Sequence, residues 1–259
     1  MFSIRLAEHT FAIAPRSASL ARLFHDYRTD APGGTYIHIS DEELAHERTL
    51  AQESINRQAA AAAAPPQAKP MRDAYLESLA IYRRICEHVL QDDILLFHCS
   101  ALRLDGSAYL FTTPSGTGKS THAGLWRERF GERVTMINDD KPLLAIREEG
   151  VTVYGTPYAG KERLQTNTSA PVAGIVVLHQ APENAIRRLT AREAFPLLFN
   201  QAYRPQDAEG MIRTLDLVQR LTELPVFSLG CTISQEAVTL AYNALTGAAT
   251  DRNEGRETR

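Results

Sequence analysis

Thr113-Pro114-Ser115-Gly116-Thr117-Gly118-Lys119-Ser120 decides how this 259-residue chain is read. The strand-like run Ala108-Tyr109-Leu110-Phe111-Thr112 precedes it, and a helix-like run from Ser120 to Phe130 follows. Strand, glycine-rich loop and helix in that order build a phosphate cradle. Glycines let the backbone curl so that its N–H groups converge on anionic oxygens. The helix adds the positive end of its dipole. In such a cradle Lys119 reaches the outer phosphates, and the Ser120 hydroxyl sits where Mg²⁺ binds. The match to G-x-x-x-x-G-K-[ST] departs at one position, where Thr113 replaces the first glycine. A glycine-rich turn ahead of an ordinary helix is the alternative, and the order of elements argues against it.

Downstream, Gly131 ends the helix and Val134-Thr135-Met136-Ile137 reads as the next strand. It delivers Asn138-Asp139-Asp140 at its C-terminal end. Phosphoryl transfer needs positioning, metal charge and a group for the acceptor proton, and two carboxylates suit the last two needs. Neighbours on a strand point to opposite faces, so at a strand end one carboxylate can turn to Mg²⁺ and the other to a substrate hydroxyl. A solvated acidic turn before Pro142 is the competing reading. Upstream, Arg72 to Leu90 shows the apolar spacing of an amphipathic helix. Ile94 to Leu102 reads as one buried strand carrying His98 beside the phosphate-loop strand, and Asp105-Gly106 signals a hairpin. The sheet therefore starts antiparallel. His98 suits a core position as well as a site. Lys161 and Arg163 can bring positive charge over the phosphates or stand in solvent. His122 reads as a capping or solvent-facing residue.

The remaining pattern is mixed. Leu143–Arg147 and Val151–Tyr154 make a hairpin, and Val172–His179 an apolar strand. Ile186–Leu189 is a short strand. Thr190 and Glu193 form a capping box for a helix through Ala202. A helix over 208–224, a strand over 225–229 and a helix over 234–245 follow. Ser40 and Glu43 make a second capping box in a small N-terminal α+β region. The expected organisation is 1–57 N-terminal region, 58–70 Ala/Pro tether, 71–247 catalytic domain and 248–259 polar tail, expected to be disordered.

Composition excludes several classes. Hydrophobic residues make up 44%, charged residues 23%, and the net charge is −3, which suits an ordinary globular chain. No basic excess favours nucleic acid. No apolar run approaches the roughly 18–20 residues of a membrane span, and the first residues lack a secretory pattern. Cys86, Cys99 and Cys231 are odd in number and widely spaced, which fits reduced thiols in a cytoplasmic protein. Cys86 and Cys231 read as buried small hydrophobes.

His98-Cys99-Ser100, the Pro114–Ser120 loop and Ile137-Asn138-Asp139-Asp140 together resemble the catalytic domain of HPr kinase/phosphorylase, over roughly residues 71 to 245. That family has a histidine on the strand before the phosphate loop, the loop itself and an Asp-Asp pair on the next strand. The resemblance implies an α/β fold, a P-loop kinase core with a mixed sheet, similar to the nucleotide-binding core of phosphoenolpyruvate carboxykinase. It implies ATP or GTP with Mg²⁺, bound by Ser115, Gly116, Thr117, Gly118, Lys119, Ser120 and Thr121. Lys119 would be the phosphate lysine and His98 would lie close to the γ-phosphate. One of Asp139 and Asp140 would hold the metal with Ser120, Asp140 being the one assigned to it, and the other would serve as base. The implied acceptor is a serine hydroxyl of a protein or peptide, and a homo-oligomer is left open. A small-molecule kinase and a nucleotide-gated binding module without turnover are the competing functions.

Overall fold

The computed structural model describes residues 1–61, 71–113 and 118–247. The sequence-predicted tether beyond residue 61, loop positions Ser115, Gly116 and Thr117, and the expected tail all lie outside the described residues. The chain divides into two compact units after Val89.

The first unit is built on a short sheet. Strands β1 (Phe2–Leu6) and β2 (His9–Ile13) pair antiparallel. Ala7 and Glu8 both take positive φ at their turn, the twist that a tight hairpin requires. A short helix α1 (Leu20–Leu23) and strand β3 (Thr35–Ile37) follow, β3 running parallel to β2. Helix α2 (Asp41–Ala61) opens on the expected capping box: Glu43 N–H donates to Ser40 Oγ, and Ser40 N–H donates to the Glu43 carboxylate. Helix α3 (Asp73–Leu90) carries the apolar stripe read from the sequence. Its Arg83 pairs with Glu47 of α2, which is 3% exposed.

The second unit is a mixed sheet covered by helices. Its elements are β4 (Ile94–Leu96), β5 (Ser100–Leu104), β6 (Ser107–Thr112), α4 (Lys119–Phe130), β7 (Val134–Asn138), β8 (Leu143–Arg147), β9 (Gly150–Tyr154), β10 (Ser169–Gln180), β11 (Ala185–Arg188), α5 (Ala191–Phe199), α6 (Ala208–Leu221), β12 (Val226–Cys231) and α7 (Gln235–Thr246). The long β10 is the trunk. Its first residues pair antiparallel with β9, its middle runs parallel to β6, and its end runs parallel to β12. From β6 the order continues through antiparallel β5 to β7, and from β9 through β8 to β4. The Asp105-Gly106 hairpin joins β5 to β6 with positive φ at both residues.

Alternation along the strands makes two cores. Leu110, Ile175 and Val177 face one way and pack with Leu198 of α5 and Leu217, Val218 and Leu221 of α6. Tyr109, Phe111, Val176 and Leu178 face the other way and pack with Trp126 of α4 and Val238 and Ala241 of α7. That period of two sandwiches the sheet between helix pairs and fixes where α4 begins.

One expectation is corrected here. Ile94 to Leu102 is two strands, not one. β4 pairs with β8, whereas β5 pairs with β6 and β7. The chain changes sheet branch across Phe97, His98 and Cys99, so His98 stands at the break and not on a strand. A run of buried apolar residues has no local mark for such a change, because both branches bury it equally.

Candidate functional site

Three chain segments bring charged groups together at the C-terminal end of β6. Gly118 takes φ +108, a left-handed conformation that suits glycine, and turns the chain into α4. Lys119 is the first residue of that helix. Its Nζ lies 3.2 Å from His98 Nε2. Asp140 Oδ1 lies 3.2 Å from the same nitrogen. His98 Nδ1 lies 3.0 Å from Gln201 Oε1. The backbone at His98 is pinned as well: its carbonyl accepts from Thr112 Oγ1 at 2.9 Å, and its N–H donates to Gln201 O at 2.8 Å.

The acidic doublet splits. Asp140 turns to His98 and Lys119. Asp139 is 7% exposed, and its Oδ1 accepts the Gly160 N–H at 2.7 Å. The approach is so close that a Cβ on Gly160 would stand 2.4 Å from Asp139 Oδ2. Asn138, fully buried, makes the turn between them. Its Oδ1 accepts from Asp140 N and Lys141 N at 2.9 and 2.8 Å, and its Nδ2 donates to Thr156 O at 3.0 Å.

Charge follows from this packing. Burial pushes the Lys119 ammonium below its ordinary range, opposed by Asp140, Cys99 and Asp139. Burial pushes the Asp140 carboxyl up. The hydrogen bond from His98 and the charges of Lys141, His98 and Lys119 outweigh it, so Asp140 stays below the usual carboxylate range. Cys99 is buried and its thiol is pushed far up by that burial, despite Lys119 nearby, so it is not a nucleophile at neutral pH.

Lys119, His98 and Asp140 therefore meet, while Asp139 is directed to the 155–160 loop. Ser120 and Thr121 are exposed on the first turn of α4. Lys161 and Arg163 are exposed on the loop that Gly160 ties to Asp139. His122 is corrected: it is 3% exposed, and Trp126 Nε1–H donates to its Nε2 at 3.0 Å. Cys231 is half-buried and Cys86 buried, and neither is in a disulfide. Gln201 was not singled out in the sequence. It lies 103 residues from His98, and no local pattern announces it. Asn138 carried a signal, since Asn readily bonds the backbone two residues on.

Among the described residues no group of three or more His, Cys, Asp or Glu side chains could hold a metal by itself. Mg²⁺ asks for less. It keeps waters and takes one or two carboxylates together with substrate phosphates. Asp140 and the Ser120 hydroxyl offer hard oxygen donors of that kind, so the donor chemistry fits. Thr113 adds a polar group at the start of the loop: it is 1% exposed, and its Oγ1 finds no hydrogen-bond partner among the described residues. Among the described residues no helix is long and apolar enough to cross a membrane.

No protein-family model and no curated protein matches the chain. Among solved structures it is similar to the Hpr(Ser) kinase/phosphatase from Coxiella burnetii, with a TM-score of 0.34 and 11% identity over 62% of this chain and 99% of that one. At that score the likeness carries no argument about activity, and a functional reading rests on the side chains.

Proposed function

We propose that the chain is a nucleotide- and Mg²⁺-dependent phosphotransferase that moves the γ-phosphate of ATP or GTP to a hydroxyl, with a serine of a protein or peptide as acceptor. The observation that carries this reading is the meeting of Lys119, at the N-terminus of α4, with Asp140 around His98 Nε2. A lysine ammonium half-buried beside an ionised carboxylate is poised for a polyanion that replaces its present partner.

In the reaction the acceptor oxygen forms its bond to the γ-phosphorus as the bond to the β–γ bridging oxygen breaks. Lys119 and the α4 N-terminus carry the charge on the phosphates, and the Gly118 turn aims the backbone at them. Mg²⁺, when bound, would supply positive charge against the phosphate oxygens. Asp140, held ionised, and Ser120 would hold that ion. Asp139 keeps one oxygen on Gly160 N–H and takes the acceptor proton on the other. Ser115, Gly116, Thr117 and Thr121 complete the nucleotide-binding set in this proposal.

Titration calorimetry with Mg·ATP and Mg·GTP, followed by transfer of labelled γ-phosphate to serine-bearing proteins and peptides, tests it. Binding is expected to disappear in Lys119→Ala. Transfer is expected to disappear in Asp139→Asn while nucleotide still binds. Absence of heat on folded protein overturns the reading. Binding with no transfer to any acceptor supports a nucleotide-gated module, and transfer only to metabolites supports a small-molecule kinase.

A further inference from the structure

Gln201 reaches the candidate site from outside every segment that the motif supplies. It follows α5, whose N-terminus is fixed by the Thr190–Glu193 capping box. Its own N–H donates to Leu198 O at 2.9 Å, and its carbonyl accepts the His98 N–H. Phe97 and Ala202 form an antiparallel bridge, and Tyr203 N–H donates to Leu96 O at 2.9 Å. The strap 201–203 thus lies against the break between β4 and β5 like a short extra strand. With its backbone held on both sides, Gln201 directs its side chain to one place, His98 Nδ1.

A carbonyl oxygen can only accept, so Nδ1 must carry the proton that it receives. Nε2, on the opposite edge of the ring, faces Lys119 Nζ and Asp140 Oδ1, each at 3.2 Å. We propose that Gln201 is the positioning residue of His98: its side-chain carbonyl accepts from Nδ1–H, fixes the orientation of the ring and so directs Nε2 at Lys119 and Asp140. Without that acceptor the ring is free to place its proton on Nε2, where the Asp140 carboxylate accepts it. The function given to Nε2 rests on the phosphotransfer reading, whereas the Nδ1–H···Gln201 bond does not.

Long-range proton–nitrogen NMR correlation of the ¹⁵N-labelled full chain tests the tautomer without nucleotide or turnover, with His98 identified by its loss in His98→Gln. Wild type is expected to show Nδ1–H at His98. Gln201→Glu, whose carboxylate also only accepts, is expected to keep it. Gln201→Leu is expected to release the ring to the Nε2–H form, with the backbone amide spectrum showing that the fold is retained. If transfer is observed, Gln201→Leu should lower kcat roughly 10- to 100-fold, as loss of an orienting partner does elsewhere, with little change in nucleotide KM, and Gln201→Glu should restore most of it. An Nε2–H ring in wild type overturns the proposal, as does an unchanged tautomer in folded Gln201→Leu. An inactive protein with the expected tautomers sinks the phosphotransfer reading alone.

Discussion

Asn138 is the residue on which the acidic doublet turns. Its fully buried carboxamide accepts from the Asp140 and Lys141 N–H groups on one side and donates to the Thr156 carbonyl on the other. Asn138→Ala removes these bonds, and a buried group that loses its partner costs about 1–3 kcal/mol. The expected loss is about 3 kcal/mol, read as a lower urea midpoint at unchanged slope; an unchanged midpoint refutes the hub. Gly160→Ala asks a narrower question. The added methyl would stand 2.4 Å from Asp139 Oδ2 and must displace the carboxylate. If Asp139 takes the acceptor proton, nucleotide affinity should hold while transfer falls by about 100-fold, the scale of a misplaced reacting group. Equal loss of both would move Asp139 to the binding side. The spacing in the sequence named His98, Lys119 and the doublet. It did not give the reason for Gly160, because a carboxylate 21 residues away imposes that glycine.

Helix α4 carries Lys119 at one end and is fastened to the sheet by an aromatic cluster. Trp126 lies 5.1 Å from the Phe111 ring, and His122 4.8 Å from the same ring. The sequence left His122 outside this cluster, since a histidine on a helix carries no local sign of burial. Burial lowers the His122 pKa from 6.5 to about 4. The unfolded chain therefore takes up this proton at a higher pH than the folded chain. The contribution of neutral His122 is fully present above about pH 6.5 and is lost as pH falls towards 4. At 1.36 kcal/mol per pH unit the total reaches about 3 kcal/mol. His122→Gln keeps an acceptor for Trp126 and does not titrate, so its stability should fall less than that of wild type between pH 6.5 and 4. Parallel curves from urea melts would exclude His122 as the source. Helices, hairpins and both capping boxes were legible because their signals are local. The break at Phe97–Cys99 was not, because it is set by which distant strand each half meets.

Every candidate site residue lies beyond Leu90, in the second unit, and the segments that carry them are far apart in sequence. Only the folded sheet collects Lys119, Asp140, His98 and Gln201, so a ligand held by that set recognises the folded state alone. Binding of this kind stabilises by about 2.7 kcal/mol at a ligand concentration 100 times Kd. For a domain of 150–250 residues each kcal/mol raises Tm by about 2–4 °C, so Mg·nucleotide should raise the melting of the second unit by roughly 5–10 °C. Lys119→Ala should remove the shift. Sodium chloride at matched ionic strength should not reproduce it, since screening lacks the geometry of the cradle. Hydrogen exchange locates the cause: added protection is expected around Gly118–His122, Asn138–Lys141 and Tyr158–Gly160. Protection confined to β1–β3, or a shift that survives in Lys119→Ala, would place the ligand elsewhere and remove the ground for assigning phosphate chemistry to this end of the sheet.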